Sequence, residues 1–204
     1  MQMNKILNNI INLSQNIINS FLHIFEKKIF AYPKMYRSDS DNGRYGLAIL
    51  KILKNQKTFE NFKRDDVYRE ILEHVTYDEG LLYLEILKSR KDGVLEKAID
   101  TVLVSDKLGN PIKFKYEGFK LPFSPTTLRY VKVASDLKKL FGVNLGSVVE
   151  IGCGYGGQAL VNNQLLNVNS TKLFDLDFVN KLIRNYLDAQ KFTGQYKTAL
   201  IEDE

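Results

Sequence analysis

Residues 148–158 read VVEIGCGYGGQ, a short apolar run that breaks into four glycines within six positions. No other stretch constrains the fold as strongly. A strand that enters a glycine turn and leaves as a helix is the building unit of a parallel sheet joined by right-handed crossovers. The chain around it keeps that alternation. Upstream, SPTTLRYVKVASDLKKLFG predicts a helix with Ser124 as N-cap, Pro125 in the first turn and Gly142 as its stop. Its buried stripe is Leu128, Val131, Ala134, Leu137, Leu140 and Phe141, with Lys138 and Lys139 at the favourable C-terminal end. Downstream come a strand (Val148 to Ile151), a helix (about Gly157 to Leu166), a strand (Lys172 to Leu176) and a helix (about Phe178 to Phe192). In the last helix Val179, Leu182, Ile183, Tyr186 and Leu187 recur at helical spacing. KTALI, residues 197–201, begins a third strand.

Before residue 124 the pattern is mainly helical. Val67, Tyr68, Ile71, Leu72 and Val75 line one face. Leu81, Leu82, Leu84 and Leu87 belong to a second helix, and Val94, Leu95, Ala98, Ile99, Val102 and Leu103 to a third, with Gly80 and Gly93 as breaks. Near 104–118, Gly109, Asn110 and Pro111 form a turn. Ile112, Phe114 and Tyr116 then alternate with charged residues, which predicts a half-exposed strand or hairpin. The expected division is a helical region over residues 1–123 and an α/β region over 124–204.

Composition excludes several classes. With 44% hydrophobic and 26% charged residues the chain is globular rather than disordered. The net charge of +5 is spread along the chain and does not single out nucleic acid as a partner. Cys153 is the one cysteine, so no internal disulfide forms and a reducing cytoplasm is the expected location. No run reaches the roughly 20 apolar residues of a membrane span. Ile6, Leu7, Ile10, Ile17, Ile18, Phe21 and Phe25 describe an amphipathic helix that packs on its own domain or on a second subunit. Membrane-surface attachment is the disfavoured alternative.

The glycine turn lets a ligand approach the backbone beside a helix N-terminus. Gly152, Gly154 and Gly157 satisfy the dinucleotide spacing G-x-G-x-x-G, a weak signal alone. Glu150, still in the strand, argues against a pyrophosphate, because two negative groups would face each other. A ligand carrying an ammonium group suits that carboxylate. Asp175, at the end of the second strand in LFDLD, is placed to accept ribose hydroxyls. Asp177 lies on the same side and is read as capping the next helix.

EIGCGYGG followed by LFDLD resembles the first two cofactor motifs of class I S-adenosylmethionine-dependent methyltransferases. The run from SPTTLRY to LFDLDFVNKLIRNYL, with FENFKRDDVYREILEHV upstream, is similar to sugar O-methyltransferases of bacterial surface-polysaccharide gene clusters. That likeness spans about residues 55–190. It implies an α/β fold in which a helical N-terminal region precedes the first half of a Rossmann-like S-adenosylmethionine-binding domain. It further implies that Glu150 contacts the methionine amino group, directly or through water, and that Gly152, Gly154 and Gly156 let the backbone lie against the cofactor. Asp175 would hold the ribose, and Leu176 would border the adenine. Family members continue through several more strands, which usually supply the catalytic base. The sequence reads as truncated after its second strand–helix unit, and no base is named.

Other candidates are weaker. His74 could serve as a base across the region boundary, while His23 sits among apolar neighbours. Two histidines and one cysteine do not make a zinc cluster, and no metal site is expected. DSDNG at 39–43 lacks the later ligands of a calcium loop and reads as a turn. Cys153 fills a position that requires a small residue, and Arg129 and Tyr130 line the cofactor mouth or simply pack. The expected activity is methyl transfer to a small-molecule or glycan acceptor. The rivals are a catalytically silent remnant or binding module, and a dinucleotide-binding oxidoreductase fragment. Homo-oligomers would form through the N-terminal helix or the open sheet edge.

Overall fold

The hydroxyl of Ser124 opens the helix that leads into the sheet. In the computed structural model, which describes residues 43–200, it accepts the N–H of Thr127, with Pro125 beginning the helix. The buried carboxylate of Asp106 takes the N–H of Ser124 and the hydroxyl of Thr127, so the first turn is closed from both sides. Upstream lie α1 (Arg44–Lys54), α2 (Gln56–Glu60), a 3-10 turn (Phe62–Arg64), α3 (Asp66–Ile71), α4 (Tyr77–Arg90) and α5 (Val94–Ser105). The Ser124 helix is α6 (Pro125–Phe141). It is followed by β1 (Asn144–Ile151), α7 (Gly157–Leu165), β2 (Asn167–Phe174), α8 (Asp177–Ala189) and β3 (Gln195–Ala199).

The strands pair in parallel in the order β1–β2–β3, each crossover running through a helix. This is the α/β architecture that the alternation predicts. Register sets the two faces of the sheet. Glu150 lies beside Leu173, and Leu173 is fully buried with Leu160, Leu182 and Ile183 of α7 and α8. Val149 and Ile151 point the other way and are 60% and 73% exposed. One core joins Ile49, Phe62 and Tyr68 to Tyr155, Leu173 and Tyr186 and so crosses the expected boundary at residue 124. A second joins Leu84, Leu87, Val94 and Val102 to Leu128, Val131 and Val161. No helix among the described residues is long and apolar enough to cross a membrane. The N-terminal amphipathic helix, His23 and most of DSDNG lie outside the described residues.

Several local expectations are corrected. Gly80 does not break the helices. It lies buried inside α4, which starts at a capping box of Thr76 and Glu79, and it is small because Tyr116 and Pro125 pack against it. The 104–118 hairpin reduces to one antiparallel bridge, Phe114 with Phe123. Pro111 has no N–H to extend a ladder, and Gly118 turns the chain at a φ of 84°. The stripe of α6 stays buried through Ala134, but Leu140 and Phe141 are 71% and 68% exposed. Leu82 is exposed as well, and α3 ends at Ile71, before Val75.

A Cβ at Gly80 would overlap the Tyr116 hydroxyl and lie 3.1 Å from Pro125 Cβ. Gly80→Ala is therefore expected to destabilise the fold by about 1–3 kcal/mol, although alanine is the better helix former. Urea unfolding reads this out, and a rise in midpoint would refute the packing role.

Candidate functional site

β1 and β2 stay in register to Ile151 and Phe174, and the Gly152 N–H still donates to the Phe174 carbonyl at 2.9 Å. Beyond that bond the turn begins. Gly152, Gly154 and Gly156 have φ of 72°, 57° and 83°, a left-handed alternation that residues with a Cβ adopt only under strain. Gly156 closes the turn by donating to the Cys153 carbonyl at 2.9 Å and starts α7. A Cβ at Gly152 would meet nothing within 4 Å, so the turn is open there. On its inner side the turn is packed, since a Cβ at Gly154 would sit 3.1 Å from Leu72 Cδ1.

Two acidic side chains meet behind this turn. Asp175, 8% exposed, accepts the Gly154 N–H at 3.1 Å through Oδ2 and the Leu176 N–H at 2.8 Å through Oδ1. Burial raises its pKa, and these N–H groups together with that of Cys153 pull it partly back. Glu150 Oε2 is enclosed and has no hydrogen-bond partner among the described residues. Burial first, and the Asp175 charge second, push the Glu150 carboxyl from 4.5 up to about 7. Among the described residues neither carboxylate forms an ion pair. The arrangement therefore offers acceptors and negative charge without counter-charge, beside an accessible stretch of backbone. It suits N–H and O–H donors and disfavours phosphate.

The other sequence candidates divide. Leu176 is half-buried and packs against the first core cluster, directly after Asp175 in the chain. Asp177 does not cap α8 with its side chain. It is 48% exposed and pairs with Lys181 at 2.6 Å. Cys153 is a buried thiol that donates to the Glu150 carbonyl at 3.1 Å, and burial drives its pKa up, which disfavours the thiolate. Tyr130 packs on Tyr155, with the Arg129 guanidinium 5.4 Å from the Tyr130 ring. His74 is exposed, and its Nδ1 lies 3.1 Å from the Ile71 carbonyl. It lines a separate cleft with Glu73, which the sequence reading passed over in favour of its neighbour. The available signal was a carboxylate at the end of an apolar helical stretch. Among the described residues no group of three acidic, histidine or cysteine side chains could hold a metal ion.

Searches of protein-family models, curated proteins and solved structures found no match for this chain.

A carboxyl raised from 4.5 to about 7 binds its proton more tightly folded than unfolded, so folding loses stability as pH rises between those values. Glu150→Gln removes that loss. The variant is expected to melt above the parent at about pH 8, with the gap closing below about pH 4.5. A constant gap across this range would show that Glu150 is not a buried titrating group.

Proposed function

We propose that the chain binds S-adenosylmethionine in the turn between β1 and α7 and transfers its methyl group to a hydroxyl, with a sugar of a surface polysaccharide as acceptor. The observation that carries the reading is the unpartnered Glu150 oxygen beside the open backbone of Gly152. A buried carboxylate without counter-charge is costly, and a ligand ammonium would compensate it. Asp175 is braced just after β2 by the Gly154 and Leu176 N–H groups, with that of Cys153 adding to them, and a carboxylate keeps acceptor capacity for a ribose hydroxyl beyond these. Leu176 gives the adenine an apolar border. Gly152 lets the ligand lie against the turn, while Gly154 and Gly156 shape its course.

Glu150 would hold the ammonium of a bound S-adenosylmethionine and Asp175 its ribose. The chemistry the cofactor would supply is an electrophilic methyl that passes to the acceptor oxygen as the C–S bond breaks, giving S-adenosylhomocysteine and one proton. The chain's own part is orientation and charge. Glu150 must be ionised to hold the ammonium, so binding should release a proton and tighten as pH rises through about 7. A dinucleotide is the poorer ligand, because both carboxylates would face its pyrophosphate. A silent binding module is the rival favoured by the exposed Val149 and Ile151. The cytoplasm, where the cofactor and activated sugars meet, is the proposed location.

Calorimetric titration of S-adenosylhomocysteine into the whole chain tests the reading. Micromolar binding is expected, weakened about 30-fold or more in Glu150→Gln and also weakened in Asp175→Asn. No heat from a folded chain, or tighter binding of NAD, would overturn it.

A further inference from the structure

A cleft of about 570 Å³ lies between α3, the α3–α4 connection and the start of α6. Its position follows from the chain path. α6 ends at Phe141, just before β1 begins at Asn144, and packs against it. The carbonyl of Tyr130 on α6 accepts from Gln158, in the first turn of α7, so the N-terminus of α6 lies at the glycine-turn end of the sheet. Leu72, which precedes the cleft residue Glu73 in the chain, packs on the inner side of that turn, where a Cβ at Gly154 would touch it. Ligands of open α/β sheets collect at this end.

Three features define what fits. Glu73 lines the cleft, and its Oε1 is enclosed without a hydrogen-bond partner among the described residues. Burial raises the Glu73 pKa, and the Lys63 ammonium and the Thr126 hydroxyl nearby lower it in part. The cleft has no single sign of charge, because Lys63 and Arg69 stand against Asp66, Glu70 and Glu73. A phosphate finds no free cradle at α6, since Ser124 and Asp106 already occupy its first turn. The third feature is aromatic. Tyr77 and Phe114 line the cleft at 38% and 36% exposure, with their rings 5.5 Å apart. Tyr77 is held by Tyr116, stacked 5.2 Å away at 8°. A fixed, partly exposed ring beside enclosed polar groups matches a molecule with an apolar face and a hydroxyl rim.

We propose that this cleft binds a neutral pyranose, its ring face on Tyr77 and one hydroxyl donating to Glu73. In calling that sugar the methyl acceptor, the inference rests on the function proposed above, and Glu73 then receives the proton released in the transfer. Sugar binding as such does not depend on that reading.

Saturation-transfer NMR on the whole chain, with methyl α-mannopyranoside and methyl α-galactopyranoside as probes and with or without S-adenosylhomocysteine, tests the site. At least one probe is expected to bind with a dissociation constant of about 1 mM, as a ligand of this size reaches. Tyr77→Ala should weaken it about tenfold or more. Glu73→Gln, isosteric and uncharged, should fold normally and weaken it several-fold. Absence of transfer to both probes in the folded chain overturns the proposal, as does binding insensitive to both Tyr77→Ala and Glu73→Gln. S-adenosylhomocysteine binding without sugar binding removes this cleft and leaves the methyltransferase reading standing. Sugar binding without S-adenosylhomocysteine binding keeps the cleft and removes the transferase.

Discussion

The side chain of Tyr155 leaves the glycine turn and runs into the core, and the geometry of the whole carboxyl end of the sheet depends on that burial. Its ring lies 4.7 Å from Tyr186 on α8, 5.4 Å from Phe62 in the 3-10 turn and 6.2 Å from Tyr130 on α6. The Lys63 ammonium sits 4.4 Å from the same ring. One aromatic inside the turn thus joins three elements that are distant in sequence. It also explains Gly157, where a Cβ would lie 2.5 Å from Tyr155 and 2.7 Å from Tyr130. The spacing that resembles a dinucleotide fingerprint is, at its last glycine, a packing requirement.

With the turn fixed this way, charge follows from burial. Glu150, Asp175 and Glu73 are all raised above their ordinary carboxyl values, and in each case desolvation is the largest cause. Burial of this kind opposes folding once the groups ionise, so it is an unfavourable arrangement unless something gains from it. Asp175 recovers part of the cost through backbone N–H groups, and Glu73 through Lys63. Glu150 recovers none from a partner among the described residues. Of the three, Glu150 is the carboxylate with most to gain from a ligand cation.

Much of the frame was legible in the sequence because it is set by local rules. The Ser124 cap, the break at Gly93, the Gly142 stop, the two strand–helix crossovers and a third strand all follow from caps and periodicity, although that strand starts at Gln195 rather than Lys197. Asp175 was distinguishable from Asp177 by its place at the strand end. What escaped was decided by tertiary contact. Gly80 looks like a helix break in sequence and proves to be the clearance for Tyr116. Leu82, Leu140 and Phe141 fit apolar stripes but meet solvent, since a stripe gives a direction and not what lies in that direction. Glu73 is indistinguishable from any helix-end carboxylate until the start of α6 encloses it.

The irregular start of β1 has its own effect on the exposed edge of the sheet. Register with β2 slips on both sides of Gly146, whose φ is 67°, and regular pairing runs from Ser147 to Ile151. A bulged strand twists and bends locally. The outer edge of β1, unpaired among the described residues, is therefore a straight track only five residues long. The kink at Gly146 therefore limits the length over which another strand could pair with this edge, and leaves Val149 and Ile151 on the exposed face beside it.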